Sequence, residues 1–169
     1  MEIYLKEFLF TARAVLFGRT RDACAILDRV KPEKLMAFQL VIGFCIGLQT
    51  LHPLRVFGFP LFLTGMTILW LFLYAAMIES KREDMTTLYR YFFGSSLFLL
   101  PGVIPIVGPK LLEILILGWP CVLSRFIAHG FEQKPGRIFC HLTLPVIGLY
   151  ATLQIVLLIV GNIFSLTAR

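Results

Sequence analysis

Five apolar runs, separated by short charged connections, decide what this chain can become: 35–51, 57–78, 88–107, 111–128 and 138–166. About 20 helical residues cross the hydrocarbon core of a bilayer, and a helix satisfies its own backbone polar groups there. Of the 169 residues, 58% are hydrophobic and only 15% charged, and the mean hydropathy is +0.83. That balance belongs to a membrane chain, not to a soluble domain of this length. The expected fold is all-α: a polytopic membrane helical bundle of five transmembrane helices over 35–169, preceded by an amphipathic helical segment over 1–34.

The basic residues order those runs. Lys6, Arg13, Arg19, Arg21, Arg29, Lys31 and Lys34 precede the first run, Lys81, Arg82 and Arg90 follow the second, and Arg125, Lys134 and Arg137 follow the fourth. Arg55, Lys110 and Arg169 are all that remain for the opposite side. Cytoplasmic connections are enriched in Lys and Arg, so five crossings place the N-terminus inside and the C-terminus outside. A net charge of +6 raises nucleic acid as a partner, but the basic residues flank apolar runs and form no patch interleaved with aromatics. The partner they imply is the bilayer with its anionic headgroups. The layout fits a bacterial inner (cytoplasmic) membrane. Acids near the start, Glu2 and Glu7, and the lack of a basic region before a clean apolar core argue for a retained segment, not a cleaved signal.

Within 1–18, Ile3, Leu5, Phe8, Leu9, Ala12, Val15 and Leu16 are spaced to make an apolar helical face opposed by Glu2, Lys6 and Arg13. A second short helix is expected with Thr20 as its cap and Ala23, Ile26, Leu27 and Val30 on one face, ending before Pro32.

Chemistry has few places to reside. An ionisable side chain inside an apolar run is costly in lipid, and Glu113 is the clear case; Lys110, three residues earlier, makes a local ion pair the simpler role for it. The stretch LLPGVIPIVGPK, residues 99–110, predicts a helical hairpin turning at Gly108 and Pro109, with Pro101 and Pro105 kinking the helix that enters it. Carbonyls freed by Pro101 and Pro105, together with Glu113, form the candidate ion or substrate site. Gly43 and Gly47, four apart, are candidates for close helix packing, and Gln39, Gln49, Gln154 and Asn162 for hydrogen bonds between helices.

No nucleophile context or phosphate-binding glycine loop occurs, and the adjacent acids Glu83 and Asp84 sit in a charged connection. His52, His129 and His141 show no ligand spacing, and Cys24, Cys45, Cys121 and Cys140 are scattered, as small buried apolar side chains would be. The expectation is therefore a chain without enzymatic activity, cofactor or metal. No internal repeat of the kind that builds many transporters is present.

The lead-in RTRDACAILDRVKPEKL, running into an apolar span at a proline, and the five short, closely spaced spans resemble the YIP family of five-span membrane proteins. Eukaryotic members of that family bind Rab-type GTPases. The resemblance implies a non-enzymatic protein that organises membranes or partners. The Asp-Leu-Tyr-Gly-Pro signature of eukaryotic members is absent, so no functional residue is carried over. The expected function is a scaffold or partner subunit in membrane organisation or trafficking, joined to a protein partner or to further copies of itself. The competing expectation is a small transporter or channel component for lipid or ion, built on the kinked third run and Glu113.

Overall fold

The computed structural model describes residues 2–49, 53–78, 82–105, 108–144 and 147–148. Its elements are α1 (Glu2–Phe17), α2 (Thr20–Leu27), α3 (Pro32–Leu48), α4 (Pro53–Ile78), α5 (Arg82–Ser95), a 3₁₀ segment (Ser96–Val103) and α6 (Gly108–Gly130). The chain is helical again over 135–144. No strand occurs among the described residues. Most of the fifth run, with Gln154, Gly161 and Asn162, lies outside them, as do His52 and Lys81.

Local chemistry explains the helix starts. Pro32 opens α3 where a missing N–H costs nothing, because first-turn amides have no intrahelical acceptor. For α2 the expected cap is displaced by one residue. Arg19 occupies the cap position in an extended conformation (φ −69°, ψ 147°) with no side-chain cap bond, and Thr20 is already helical. The link after α1 is only Gly18 and Arg19, so the backbone turn, not a hydroxyl, sets the boundary.

The core is organised around α5 and the 3₁₀ segment. Leu88, Tyr91, Phe92, Phe93, Leu97 and Leu99 are buried, because α1, α2, α3, α4 and α6 all pack against this rod. A Cβ on Gly94 would lie 2.4 Å from a methyl of Leu27, so glycine is what lets α2 sit directly on α5. The N-terminal segment is thus part of the same core: Ala12, Val15, Ala23, Cys24 and Leu27 are buried with the rod.

The rod changes helix type before it meets a proline. Ser95 Oγ donates to the carbonyl of Phe92 at 2.9 Å and Ser96 Oγ to that of Phe93 at 2.6 Å. Hydroxyls that bond back one turn compete for carbonyls of the α ladder, and the tighter 3₁₀ spiral begins at Ser96. Trp119 of α6 fixes the junction by donating its indole N–H to Ser95 Oγ at 2.7 Å. Ile104 then turns extended (φ −67°, ψ 122°), the conformation forced on a residue preceding a proline, here Pro105. The two prolines therefore do not kink a continuing α-helix; Pro101 lies within the 3₁₀ turns and Pro105 follows their end.

α3 and α4 run antiparallel at close quarters. A Cβ on Gly43 would meet Pro60 Cα at 2.7 Å, and one turn away Gln39 donates to Thr67 Oγ1 at 2.6 Å and to the Leu63 carbonyl at 3.3 Å. On its other side α4 carries a continuous outward stripe including Leu54, Phe57, Leu61, Phe62, Leu69 and Phe72, all exposed. Among the described residues, two stretches are long and apolar enough to cross a membrane: Val56–Ala76 of α4 and Lys110–Gly130 of α6.

Candidate functional site

The residues singled out from the sequence do not converge. Glu113 is exposed on α6, on the side turned from the face that carries buried Leu115, Trp119 and Leu123. It forms no ion pair with Lys110, also exposed. Pro101 is half-buried and Pro105 exposed. Two carbonyls near them are engaged: that of Pro101, the one Pro105 would free, accepts the Ile104 N–H at 3.2 Å, and that of Gly102 accepts Gln49 Nε2 at 2.9 Å. Gln49 thus ties the end of α3 to the 3₁₀ segment, as Gln39 ties α3 to α4. Gly43 and Gly47 are both buried on α3.

The cysteines divide. Cys24 is buried, its Sγ 3.9 Å from the carbonyl of Phe126, and burial pushes its thiol from 9.0 up to about 11. Cys45 is half-buried, while Cys121 and Cys140 are exposed, contrary to the expectation that all four are buried apolar side chains. The difference follows from helix facing, which spacing within one apolar run does not reveal. Among the described residues no group of three or more His, Cys, Asp or Glu converges as metal ligands would.

Two surfaces stand out instead. The first is on α1, whose apolar residues fall on two faces. Thr11, Ala12 and Val15 are buried, and Phe8 meets Phe38 edge-on at 5.0 Å. Glu7 turns back to pair with Lys34, whose ammonium also lies 5.1 Å from the centre of the Tyr4 ring. Leu5, Leu9, Phe10 and Phe17 point outward beside Lys6 and Arg13. The expected single apolar face, with Leu5 and Leu9 on it, is therefore split between core and surface.

The second is a cleft of about 230 Å³ at the end of α6, lined by Cys121, Ser124, Arg125, Pro135, Gly136 and Phe139. It exists because the chain reverses sharply: the Gln133 N–H bonds the Ala128 carbonyl at 3.0 Å, and Glu132 adopts a left-handed conformation (φ 52°). That is a helix-terminating turn in which glycine is the usual occupant. Pro135 then starts the next helix at a first-turn position that suits it. Sequence spacing gave no sign of this cleft; the loop HGFEQKPGR marks the connection but not the packing of its two arms.

These surfaces and the helical core define a class: among the described residues, an all-helical protein with two helices able, by length and composition, to cross a membrane. No protein-family model, no curated protein and no solved structure matches the chain.

Proposed function

We propose that this protein is a five-span integral membrane protein, N-terminus inside and C-terminus outside, that serves as a non-enzymatic scaffold or partner subunit in membrane organisation. Apolar side chains exposed along α3, α4 and α6 support the membrane setting, since contiguous apolar surface of that extent is unfavourable in water. α3, with 17 residues, lies at the short end of spanning length, and α5 with the 3₁₀ segment extends roughly 35 Å at their respective rises. The resemblance of the apolar-run layout to that of the YIP family adds support to the same role.

The observation that carries the scaffold reading is the outward face of α1. Leu5, Leu9, Phe10 and Phe17 are exposed although the helix has already buried another face, and Lys6 and Arg13 sit among them. A helix with both contacts is anchored to its own bundle and still presents surface to something else. Transport through the broken third run draws less support, because the carbonyls of Pro101 and Gly102 are already bonded within the protein.

The test is Leu9→Glu combined with Phe10→Glu, changes confined to the exposed face. Mild-detergent affinity purification is expected to lose the stoichiometric partner or the self-association of the wild type, with the chain still resisting alkaline carbonate extraction. Unchanged partners and unchanged membrane phenotype would remove the scaffold reading. Release of the wild type by carbonate would remove the membrane reading.

A further inference from the structure

We propose that the cleft between α6 and helical residues 135–144 is a subsite for the phosphate of an anionic phospholipid. The inference rests on the membrane reading and adds to it a specific place, a specific charge and a specific donor.

Arg125 is the one charged residue in the lining, and it is exposed and forms no ion pair with any described side chain. Its guanidinium offers the planar, paired donors that suit phosphate oxygens. Ser124 does not compete for this role, because its hydroxyl donates to the Cys121 carbonyl at 2.8 Å. Lys134 and Arg137, both exposed, are chain neighbours of the lining residues Pro135 and Gly136, and the acid of the connection, Glu132, is outside the lining. The first turn of the helix that begins at Pro135 forms one wall, adding the positive end of its backbone dipole.

A free anion would need only the charges. A lipid also needs an apolar track leading away from them, and α6 has one: Ile114, Leu117 and Cys121 are exposed at successive turns of the stripe that ends at Arg125. Pro135 and Phe139 form the apolar side of the cleft itself. The arrangement fits a phosphate at Arg125 with its acyl chains lying along α6. Charge complementarity and continuity with the outward apolar surface both favour an anionic lipid over a zwitterionic one or over inorganic phosphate.

The full chain is reconstituted in nanodiscs of equal phosphatidylcholine and phosphatidylglycerol, and lipids retained after release are counted by native mass spectrometry. The wild type is expected to retain phosphatidylglycerol in preference to phosphatidylcholine. Arg125→Gln is expected to lower that retention on the order of tenfold, the loss of one charge-assisted contact. Arg125→Lys is expected to keep part of it, and Lys110→Gln, which alters an exposed cation at the other end of α6, to change nothing. Equal retention in wild type and Arg125→Gln overturns the proposal, as does an equal loss in Lys110→Gln, which would make the effect one of total charge. Displacement of the lipid by millimolar inorganic phosphate overturns the lipid assignment in favour of a free-anion site. Failure of the wild type to incorporate into nanodiscs would instead count against the membrane reading and, with it, the proposal.

Discussion

α4 and the α5–3₁₀ rod both carry large aromatic and aliphatic side chains and use them in opposite ways. Phe62 of α4 is 64% exposed and Leu61 69%, whereas Phe92 and Leu97 of the rod are both 0% exposed. Hydropathy runs against burial: the rod, which opens on Arg82, Glu83 and Asp84 and carries Arg90, is the less apolar of the two and yet the more deeply buried. What separates them is small residues and hydroxyls: the rod has Gly94, Ser95 and Ser96 at its centre, where Leu27 and Trp119 close in, while Gly58 and Gly65 of α4 face open space. A helix becomes the core of such a bundle when its sequence lets neighbours approach from every side.

The largest expected effect tests that contrast directly. Phe92 packs edge-on against Trp70 at 5.7 Å and meets Tyr74 at 6.0 Å, so Phe92→Ala is expected to cost about 3–5 kcal/mol in detergent unfolding experiments. Phe62→Ala, on the exposed stripe, is expected to change stability by less than about 0.5 kcal/mol. Similar losses in the two variants would dissolve the distinction between rod and shell.

Glycines sharpen the comparison at the next scale. Gly43→Ala forces a methyl against the backbone of Pro60, an overpacking expected to cost about 1–3 kcal/mol unless α3 and α4 separate. Gly65→Ala meets nothing within 4 Å and is expected to stabilise α4 by about 0.5–1 kcal/mol through helix propensity. Ser95→Ala leaves the buried Trp119 indole N–H without its acceptor, an expected loss of about 1–3 kcal/mol that thermal unfolding would register.

Smaller effects lie in the shell and its turns. Glu132→Gly removes a side chain from a left-handed position and is expected to raise stability by about 1 kcal/mol, read from the same melts. Cys24 provides the last contrast, in reactivity. With its thiol at about 11, roughly one part in a thousand is thiolate at pH 8, so alkylation of Cys24 in the folded protein should lag far behind its alkylation in the denatured chain. The sign follows from the shift: folding favours the protonated thiol, a contribution intact below about pH 9 and lost as pH rises toward 11. Equal alkylation rates of Cys24 in the folded and denatured protein would show that α2 does not stay docked.

Much of the helical layout was legible in the sequence, because apolar runs and prolines are local signals. Pro32 marked the start of α3, and the run ending at Ile78 marked the end of α4. The third run is expected from its prolines to continue as a helix kinked at Pro101 and Pro105 and to turn at Gly108 and Pro109; instead it changes helix type at Ser96, beside the Ser95 hydroxyl that receives an indole from α6, 24 residues away in the chain, and Gly108 and Pro109 already belong to α6. The two faces of α1 were hidden for a related reason: a helical wheel shows which residues align but not how much of the circumference a neighbour covers. The candidate site fared worst. Glu113, Pro101 and Pro105 were chosen for their cost inside an apolar run, yet cost marks function only where side chains converge. Arg125, a residue easily assigned to the edge of a span, is found beside Pro135 and Phe139 only once the turn at Glu132 has folded the chain back.

The buried rod also imposes an order on synthesis. α5 leaves the ribosome before α6, which supplies Trp119 to Ser95 and Leu112 to the space beside Gly102. At 5–20 residues per second, Ser95 waits on the order of one to five seconds for its partner. During that interval the rod has α1 to α4 beside it but not α6, and the contacts of Ser95 with Trp119 and of Gly102 with Leu112 are unmade. The side of the rod that α6 covers is therefore buried later in synthesis than the sides that α1 to α4 cover.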